Sequence, residues 1–512
     1  MLKSGIKAYQ FSKGLNRIKS AKTEEEQRIA AKYLNNLISN EKGVFLKIGQ
    51  ILGSKESSLE EFKTLTESSN SPWKLRDMIP FIEETYNCKI SDIFLSLEES
   101  QKSASLGQVH RGFLKNGKQI ALKIQYPDIK KKINSQLSLL NLLPVASKIG
   151  PLKRWGIPIS DYKSIIKKTI DEELSYLNEV KNQIRYAKNH MNNPKIITSE
   201  IVFAYSRESI YIQSWEEGLH INEVMSSWSD ASKREIGILF LECYFVDLFV
   251  HGFIQGDTHD GNFLFRKNQA GCPEIILLDF GNCVEIPETY RLALLRLIYA
   301  TLKGEDIDLL GAMSLIGFDV EKLKHIQDCL PVLMKTLFEP LLADYAYDLK
   351  EWNLERKIQD ILGEYKWWFR SAGPTLFFQI IKSLSGVINI LQKLDAKIQW
   401  KKYFQKNTVH LIYQIQKTRI PSIGFGLPSF KSMAKHLNVM VFEGKINTVN
   451  LNLPSSVLID LENLIDPDIQ KKLQERNIDI FEIKKEALRN GGMVQTLFEL
   501  DEGNKLFKVS LN

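Results

Sequence analysis

The stretch Gly252-Phe-Ile-Gln-Gly-Asp-Thr-His-Asp-Gly-Asn-Phe-Leu-Phe265 is followed by a polar turn and then by Glu274-Ile-Ile-Leu-Leu-Asp-Phe-Gly281. The apolar run before Gly252 predicts a helix that ends at this glycine. A loop then carries Asp257 and Asn262, a strand follows, and a second strand ends just before Asp279. The carboxylates of Asp257 and Asp279 and the carboxamide of Asn262 are thereby placed at the ends of neighbouring elements.

The order of these three residues is the layout of a kinase catalytic loop followed by a metal-binding turn. Asp257 would orient a hydroxyl or water, while Asn262 and Asp279 would take a metal ion. Magnesium on nucleotide phosphates requires a few hard oxygen ligands, which these residues offer. Neither D-x-x-x-x-N nor D-F-G is specific alone, but their combination favours nucleotide binding over an ordinary surface loop.

Upstream, Ser103–Gly112 is a small-residue turn that leads into a strand, and Gln119–Tyr126 is a strand facing it. Small side chains let backbone amides approach phosphates. Alternation puts Ala121 and Lys123 on one face of the second strand and branched aliphatic side chains on the other. A small residue beside a lysine suits an adenine and phosphate site; the alternative is a half-exposed strand with a solvated lysine.

A long helix is predicted over Asp161–His190, with Glu173 and Glu179 six residues apart. This spacing is about 120° around the helix, so the two carboxylates cannot share one partner. One of them pairs with Lys123 in this interpretation, and the other is available to a second lysine. The alternative is that both are solvated.

Composition indicates an ordinary globular chain of two or three domains, because 512 residues contain 44% hydrophobic and 25% charged residues. The net charge of +7 is mild, and no basic stripe interleaved with aromatics argues for nucleic acid. Five scattered cysteines without a C-x-x-C pair predict reduced thiols and a cytoplasmic protein.

The N-terminal residues lack the pattern of a signal peptide, since lysines and Arg17 interrupt every apolar run. The most apolar stretch, Ile236–Ile254, contains Glu242 and Asp247 and is predicted to be a buried helix, so no transmembrane helix is expected. Met1–Ser20 has the pattern of a basic amphipathic helix, which fits a peripheral contact with the inner membrane or packing on the main domain.

Several motifs together resemble those of the UbiB/aarF family of atypical kinases, over about Gly43–Ile398. Lys47-Ile-Gly-Gln50 resembles the family's K-x-G-Q signature, and Ser103–Gln108 resembles its alanine-rich nucleotide loop. Gln255-Gly-Asp-Thr-His-Asp-Gly-Asn262 stands where the family has H-A-D-P-H-P-G-N. Ser175 replaces the aspartate of the family's E-x-D motif.

The resemblance implies a bilobal, helix-rich, protein kinase-like fold. The residue patterns outside it predict an N-terminal helical extension and a small C-terminal α+β tail, so the expected fold class is α+β. The divisions are an extension (1–100), an N-lobe with a helical insert (101–217), a helical C-lobe (218–416), a linker (417–428) and a C-terminal domain (429–512).

The family's functional residues carry over to matching positions. Lys123 would contact the phosphates and Glu179 would be its helix partner, while Glu173 would bond Lys47, and the Lys47–Gln50 segment would cover the active site against protein substrates. The residues implied to contact ATP are Ser103, Ala104, Ser105, Gln108, Ala121, Lys123 and Glu179.

The resemblance also implies ATP and Mg²⁺ as ligands, and ATPase activity linked to isoprenoid quinone biosynthesis at membranes, so a membrane lipid or quinone precursor is the expected partner. Only a handful of residues separate Gly281 from the next predicted helix, which leaves no platform for a peptide substrate. Two functions stay open: an ATPase or small-molecule kinase, and a nucleotide-binding pseudokinase-like scaffold.

Overall fold

The structure, a computed structural model, describes residues 72–103, 106–131, 174–423 and 434–512, apart from 445, 466, 490, 491 and 504. The chain divides into two compact units. Unit 1 contains the described residues up to Ile236 together with Gln255–Val284, and unit 2 contains Gly237–Ile254 and the described residues from Glu285 onward. The predicted helices within 1–71 and most of the predicted insert after Pro127 lie outside the described residues. The five-part division made from the sequence stays a prediction.

Unit 1 is built on a four-stranded antiparallel sheet in the order β1-β2-β3-β5. Its elements are α1 (Leu75–Tyr86), α2 (Ile90–Ile93), β1 (Phe94–Ser103), β2 (Gly107–Leu114), β3 (Gln119–Gln125), α3 (Tyr176–Asn189), β4 (Ile196–Thr198), β5 (Ile210–Ser214) and α4 (Ile221–Ser227).

Both faces of this sheet are covered, as the composition of β3 requires. Its aliphatic face, with Ile120, Leu122 and Ile124, packs with Met78 and Ile82 of α1. On the opposite face, Tyr176 and Val180 of α3 pack with Tyr211 of β5. The alternation predicted for β3 is confirmed, but the half-exposed alternative is wrong, because even its polar face lies against protein.

The loop that carries Asp257 and Asn262 leads into a strand, as predicted, while the short strand before the loop was not predicted. The chain passes through α5 (Asp230–Phe245), a π-helical turn (Val246–His251), β6 (Phe253–Gln255), β7 (Phe263–Lys267), β8 (Pro273–Leu277) and β9 (Cys283–Glu285). Gly252, with a φ of 61°, ends the helical run because glycine adopts this left-handed conformation without a steric penalty. β7 and β8 pair antiparallel in a three-stranded sheet ordered β4-β8-β7.

Unit 2 is helical up to residue 417. Its helices are α6 (Glu288–Lys303), α7 (Leu309–Leu315), α8 (Val320–Leu323), α9 (Leu330–Leu337), α10 (Glu339–Leu342), α11 (Leu349–Trp352), α12 (Leu354–Leu362), α13 (Lys366–Ala372), α14 (Thr375–Lys393), α15 (Trp400–Thr408) and α16 (Ile412–Lys417). α6 begins soon after Gly281, as the sequence predicts, with only β9 as a regular element between them.

One helix among the described residues, α14, is long and apolar enough to cross a membrane by length and composition. No transmembrane helix was expected from the sequence. A single helix of this kind is weak evidence for a membrane span, because the core helix of a soluble protein has the same length and composition. α14 also contributes Ile380, Val387 and Ile390 to the buried core.

The C-terminal part of unit 2 forms its own sheet in the order β11-β10-β13-β12. Its elements are β10 (His436–Glu443), β11 (Ile446–Pro454), α17 (Leu461–Leu464), α18 (Pro467–Glu475), α19 (Ile480–Arg489), β12 (Gln495–Asp501) and β13 (Lys505–Leu511). The predicted α+β character of this C-terminal part is confirmed. Helices cover one face, where Leu437, Leu473 and Leu500 are fully buried. All five cysteines are free thiols, as expected.

Candidate active site

Lys123 lies at the centre of the unit 1 sheet. Its strand, β3, is flanked by β2 and β5, which pair Lys123 with Val109 and Tyr211. The residue is only 8% exposed, and its ammonium lies 5.4 Å from the centre of the Tyr211 ring. A buried ammonium needs a carboxylate close by, because an unpaired charge in such a place is strongly destabilising.

Glu179, in the first turn of α3, is that partner. Its Oε1 accepts hydrogen bonds from Lys123 Nζ, from the Tyr211 hydroxyl (2.7 Å) and from the Phe280 backbone N–H (3.4 Å). Of the two glutamates that the sequence offered to Lys123, Glu179 therefore makes the pair, and the prediction that it is solvated is wrong. The prediction of one long helix over Asp161–His190 is also wrong, because α3 begins at Tyr176 and Ser175 before it has an extended backbone. Burial first, and then the Glu179 charge, raise the pKa of Tyr211, so its hydroxyl stays protonated and donates.

Asp279 lies on the other side of Lys123, with its Oδ2 3.5 Å from Lys123 Nζ. Its Oδ1 accepts the Gly281 N–H at 2.9 Å, and its side chain is 43% exposed. Burial raises the pKa of Asp279, but the Lys123 ammonium and the Gly281 N–H outweigh it and hold that pKa below its usual value. Burial by itself lowers the pKa of Lys123, but the Asp279 and Glu179 carboxylates raise that pKa by more than burial lowers it. The lysine therefore keeps its charge.

Asn262 is hydrogen-bonded to Asp257 and to the residue before Asp279. Its Nδ2 donates to the backbone oxygen of Asp257 (3.1 Å), and its own backbone oxygen accepts from the N–H of Leu278 (3.0 Å), the residue before Asp279. A 3₁₀ turn over Asp260–Asn262 sets this arrangement. The loop and the turn are thus brought together by backbone hydrogen bonds.

The donor set of Asn262 and Asp279 fits a magnesium ion. Because Asn262 Nδ2 is used by the Asp257 backbone oxygen, its Oδ1 is the atom that can face a cation, and this oxygen accepts no hydrogen bond within the described part of the chain. A carboxylate and a carboxamide oxygen are ligands that Mg²⁺ takes when phosphate oxygens and waters supply the rest. The depressed pKa of Asp279 keeps that carboxylate charged at neutral pH.

Part of the predicted nucleotide loop is described, and part is not. Gln108 is 1% exposed, and both polar atoms of its carboxamide bind the backbone of Trp73. Oε1 accepts the Trp73 N–H (2.8 Å), and Nε2 donates to the Trp73 oxygen (3.0 Å). Through these two hydrogen bonds Gln108 holds the chain segment just before α1. Ala121 is 6% exposed on the same strand as Lys123. The remaining predicted residues, Lys47, Gln50, Ala104, Ser105, Glu173 and the side chain of Ser103, lie outside the described residues.

Sequence reasoning missed three residues that hold the site together. Tyr211 donates to Glu179, Asn182 Nδ2 donates to the Phe280 oxygen (2.9 Å), and Gln255 Nε2 donates to the Asp279 oxygen (2.9 Å). Asn182 follows Glu179 by three residues and so lies beside it on the same face of α3. This spacing could have identified Asn182 once Glu179 was assigned to the site. Tyr211 and Gln255 give no such signal, because their contacts depend on strand pairing and on the fold of the loop.

Comparisons with known proteins relate this part of the chain to atypical kinases. Residues 66–311 match the family model described as the ABC1 atypical kinase-like domain. The chain is similar to AarF domain-containing kinase 1 of Drosophila melanogaster, with 30% identity over 286 residues, 53% of this chain and 53% of that protein. It is also similar to "Atypical kinase COQ8B, mitochondrial" of Danio rerio, with 24% identity over 387 residues, 73% of this chain and 60% of that protein.

Among solved structures, the chain is similar to Rv3197 of Mycobacterium tuberculosis in its complex with erythromycin, with a TM-score of 0.52 and 23% identity over 75% of this chain and 96% of that chain. At this identity the likeness concerns the fold alone, and it confirms the predicted α+β kinase-like class. The sequence match to the AarF domain-containing kinases covers about half the length of those proteins.

Proposed function

We propose that the chain binds Mg-ATP and transfers or hydrolyses its terminal phosphate, and the match of residues 66–311 to the ABC1 atypical kinase-like domain supports this. The observation that carries this proposal is the buried Lys123–Glu179 pair, whose ammonium also lies 3.5 Å from Asp279. A lysine held by a helix glutamate beside a metal-binding aspartate is the arrangement on which kinase phosphoryl transfer depends.

Each residue has one role in this proposal. Lys123 binds the α and β phosphates, and Glu179 keeps its ammonium in place through a bond that neither water nor salt screens well. Asn262 and Asp279 hold magnesium, which supplies positive charge against the phosphate oxygens when it is bound. Asp257, at the head of the loop, accepts a hydrogen bond from the attacking hydroxyl or water and so orients it.

The acceptor is a small molecule or water in a lipid pathway, with isoprenoid quinone synthesis at a membrane surface as the leading case. Two features support a non-protein acceptor: the resemblance of Lys47–Gln50 to a segment that covers the site, and the short connection from Gly281 to α6. The second candidate, a nucleotide-switched scaffold, is favoured by the replacement of the family's histidine by Gln255 and of its aspartate by Ser175.

Magnesium-dependent ATP hydrolysis by the purified full-length chain, with and without anionic lipid vesicles, tests the proposal. The variant is Asp279→Asn, for which we expect a loss of turnover of roughly 10²-fold or more. Asp501→Asn is the matched control, because Asp501 Oδ1 accepts the N–H of Gly503 at 2.9 Å just as Asp279 Oδ1 accepts that of Gly281.

Turnover that vesicles stimulate and Asp279→Asn removes would support a membrane-coupled ATPase. Nucleotide binding without turnover would favour the scaffold. Equal turnover in wild type and Asp279→Asn would contradict the assigned site.

A further inference from the structure

Unit 2 carries a local excess of positive charge. Residues 396–442 contain eight lysine and arginine residues and no aspartate or glutamate. Acidic residues make up 61 of the 512 residues of the chain, so a stretch of this length without one departs from the average. Within it, α15, a 3₁₀ turn (Val409–Leu411) and α16 follow one another along the chain as one helical segment.

The two faces of this helical segment differ in chemistry. The side chains that it buries in the protein are those of Trp400, Phe404, Thr408 and Ile415. At intervals of four, three, four and four residues, which is the spacing of one helix face, follow Lys402, Lys406, Val409, Tyr413 and Lys417. All three lysines of this outer face are outside the core, and Val409 and Tyr413 are 57% and 66% exposed. The outer face thus sets two exposed apolar side chains between lysines.

Two lysines of the helical segment are neutralised by carboxylates from other elements. Lys406 Nζ lies 2.6 Å from Oε1 of Glu242 in α5, whose side chain is 18% exposed. Lys401, at the edge of the outer face, lies 2.6 Å from Oδ1 of the exposed Asp344. These two pairs add no net charge to the surface.

The other basic residues of the segment keep their positive charge unbalanced. Among the described residues, Lys402 and Lys417 have no carboxylate partner, and their ammonium groups lie 5.6 and 4.2 Å from the ring centres of Tyr403 and Tyr413. Arg419, two residues beyond α16, is exposed and likewise has no carboxylate partner in the described part of the chain. The outer face is therefore net positive and partly apolar.

We propose that this outer face contacts an anionic lipid surface, with Val409 and Tyr413 at the boundary between headgroups and hydrocarbon and the lysines among the lipid phosphates. A lysine stem is long enough to keep its charge in water while an apolar neighbour sinks below it. Lysine and tyrosine beside an apolar side chain are typical of helices that lie in the membrane interface. A nucleic acid would instead call for hydrogen-bond donors along the face, and Val409 in its middle offers none.

The inference names the surface that would meet the membrane in the proposed function, and it rests on that function only for its biological setting. The contacts lie wholly within unit 2, and the experiment contains no nucleotide. Failed vesicle binding would therefore leave the nucleotide site standing, and failed ATP turnover would leave this surface standing.

Cosedimentation of the full-length chain with vesicles tests the contact. Vesicles of phosphatidylcholine mixed with phosphatidylserine supply the negative charge, and pure phosphatidylcholine is the neutral comparison. We expect saturable binding to the mixed vesicles, at least about tenfold weaker binding to the neutral ones, and a loss of binding as the salt concentration rises.

One pair of double variants tests the charges. Lys402→Gln with Lys417→Gln should weaken binding to the mixed vesicles about tenfold, because each basic residue near an anionic surface adds to the affinity. Lys471→Gln with Arg476→Gln removes the same charge from exposed positions in and just after α18, and it should change the affinity less than about twofold.

A second pair tests the apolar contact. Val409→Ser with Tyr413→Ser keeps every charge and should weaken binding about fivefold or more, because apolar area no longer leaves water. Val494→Ser with Phe481→Ser is the matched control: these side chains are 63% and 58% exposed, and their loss should leave the affinity within about twofold.

Three results would overturn the proposal. Wild-type protein that does not sediment with the mixed vesicles would assign this face to another anionic partner, such as an acidic protein. Equal losses in the two charge variants would show that binding follows the net charge of the chain rather than this face. Unchanged affinity in Val409→Ser with Tyr413→Ser would show that neither side chain enters the lipid.

Discussion

Replacing Glu179 by glutamine is the sharpest test of the site, because it removes one charge and almost no volume. Glu179 is 5% exposed and Lys123 8%, so the variant leaves a buried ammonium without its nearest carboxylate. Breaking a buried pair in this way costs about 3–5 kcal/mol. Asp279 stays 3.5 Å from Lys123 Nζ and still attracts it, which places our expectation at the lower end, about 3 kcal/mol.

The assay is urea-dependent hydrogen exchange followed by mass spectrometry, which reports the opening free energy of β3 and β5 separately from unit 2. Glu200→Gln is the matched control. Glu200 pairs with Lys118 at 2.5 Å in the same unit, but its side chain is 74% exposed, so we expect a loss within about 1 kcal/mol.

A double-mutant cycle with Lys123→Met decides whether the loss comes from the pair. If Lys123 and Glu179 interact as described, the double variant is more stable than the sum of the single losses predicts, by at least about 1 kcal/mol. Additive losses, or a Glu179→Gln effect no larger than that of Glu200→Gln, would refute the reasoning. Mg-nucleotide affinity of Glu179→Gln should also fall, because Lys123 is then drawn toward Asp279.

Three further outcomes follow from unit 1. Because Gln108 Nε2 donates to His110 Nε2 and His110 Nδ1 lies 2.9 Å from the Glu98 oxygen, the ring is neutral, and burial lowers the pKa of His110. As the pH falls, the His110 ring therefore takes up a proton in the unfolded chain before it does so in the folded one. The free energy of unfolding is thus highest above about pH 6.5 and falls below it by up to about 1.4 kcal/mol per pH unit. His110→Gln should flatten this part of the pH profile of exchange in β2. Gly107→Ala should destabilise β2 by about 1–3 kcal/mol in the same assay, because its Cβ would lie 2.4 Å from the Ile124 oxygen and 2.6 Å from the Tyr176 hydroxyl. A loss within about 0.5 kcal/mol would contradict this packing. Asp257→Asn should lower ATP turnover by about 10²-fold or more while nucleotide affinity stays within a few-fold, and a variant with unchanged turnover would exclude Asp257 from the chemistry.

Local patterns in the sequence were sufficient for the elements that carry the site. The alternation of β3 predicts that Lys123 faces away from the aliphatic core, and this is what the packing against α1 shows. The order of Asp257, Asn262 and Asp279 predicts a loop and a turn that meet, which the Leu278–Asn262 backbone hydrogen bond accomplishes. Such patterns can be recognised from the sequence because they depend on residues close in the chain and on the regular repeat of side-chain direction, about every 3.6 residues in a helix and every 2 in a strand.

Contacts between distant residues were decided only by the tertiary structure. The spacing of Glu173 and Glu179 predicts different partners only if one helix carries both, and α3 begins at Tyr176 after an extended Ser175. The choice of Glu179 for Lys123 depends on where α3 packs against the sheet. The hydroxyl of Tyr211 reaches Glu179 because β5 pairs with β3 in a particular register. A sequence fixes which side chains are apolar or charged, whereas the partner of each, and the space left between them, follows from the non-local packing of whole elements.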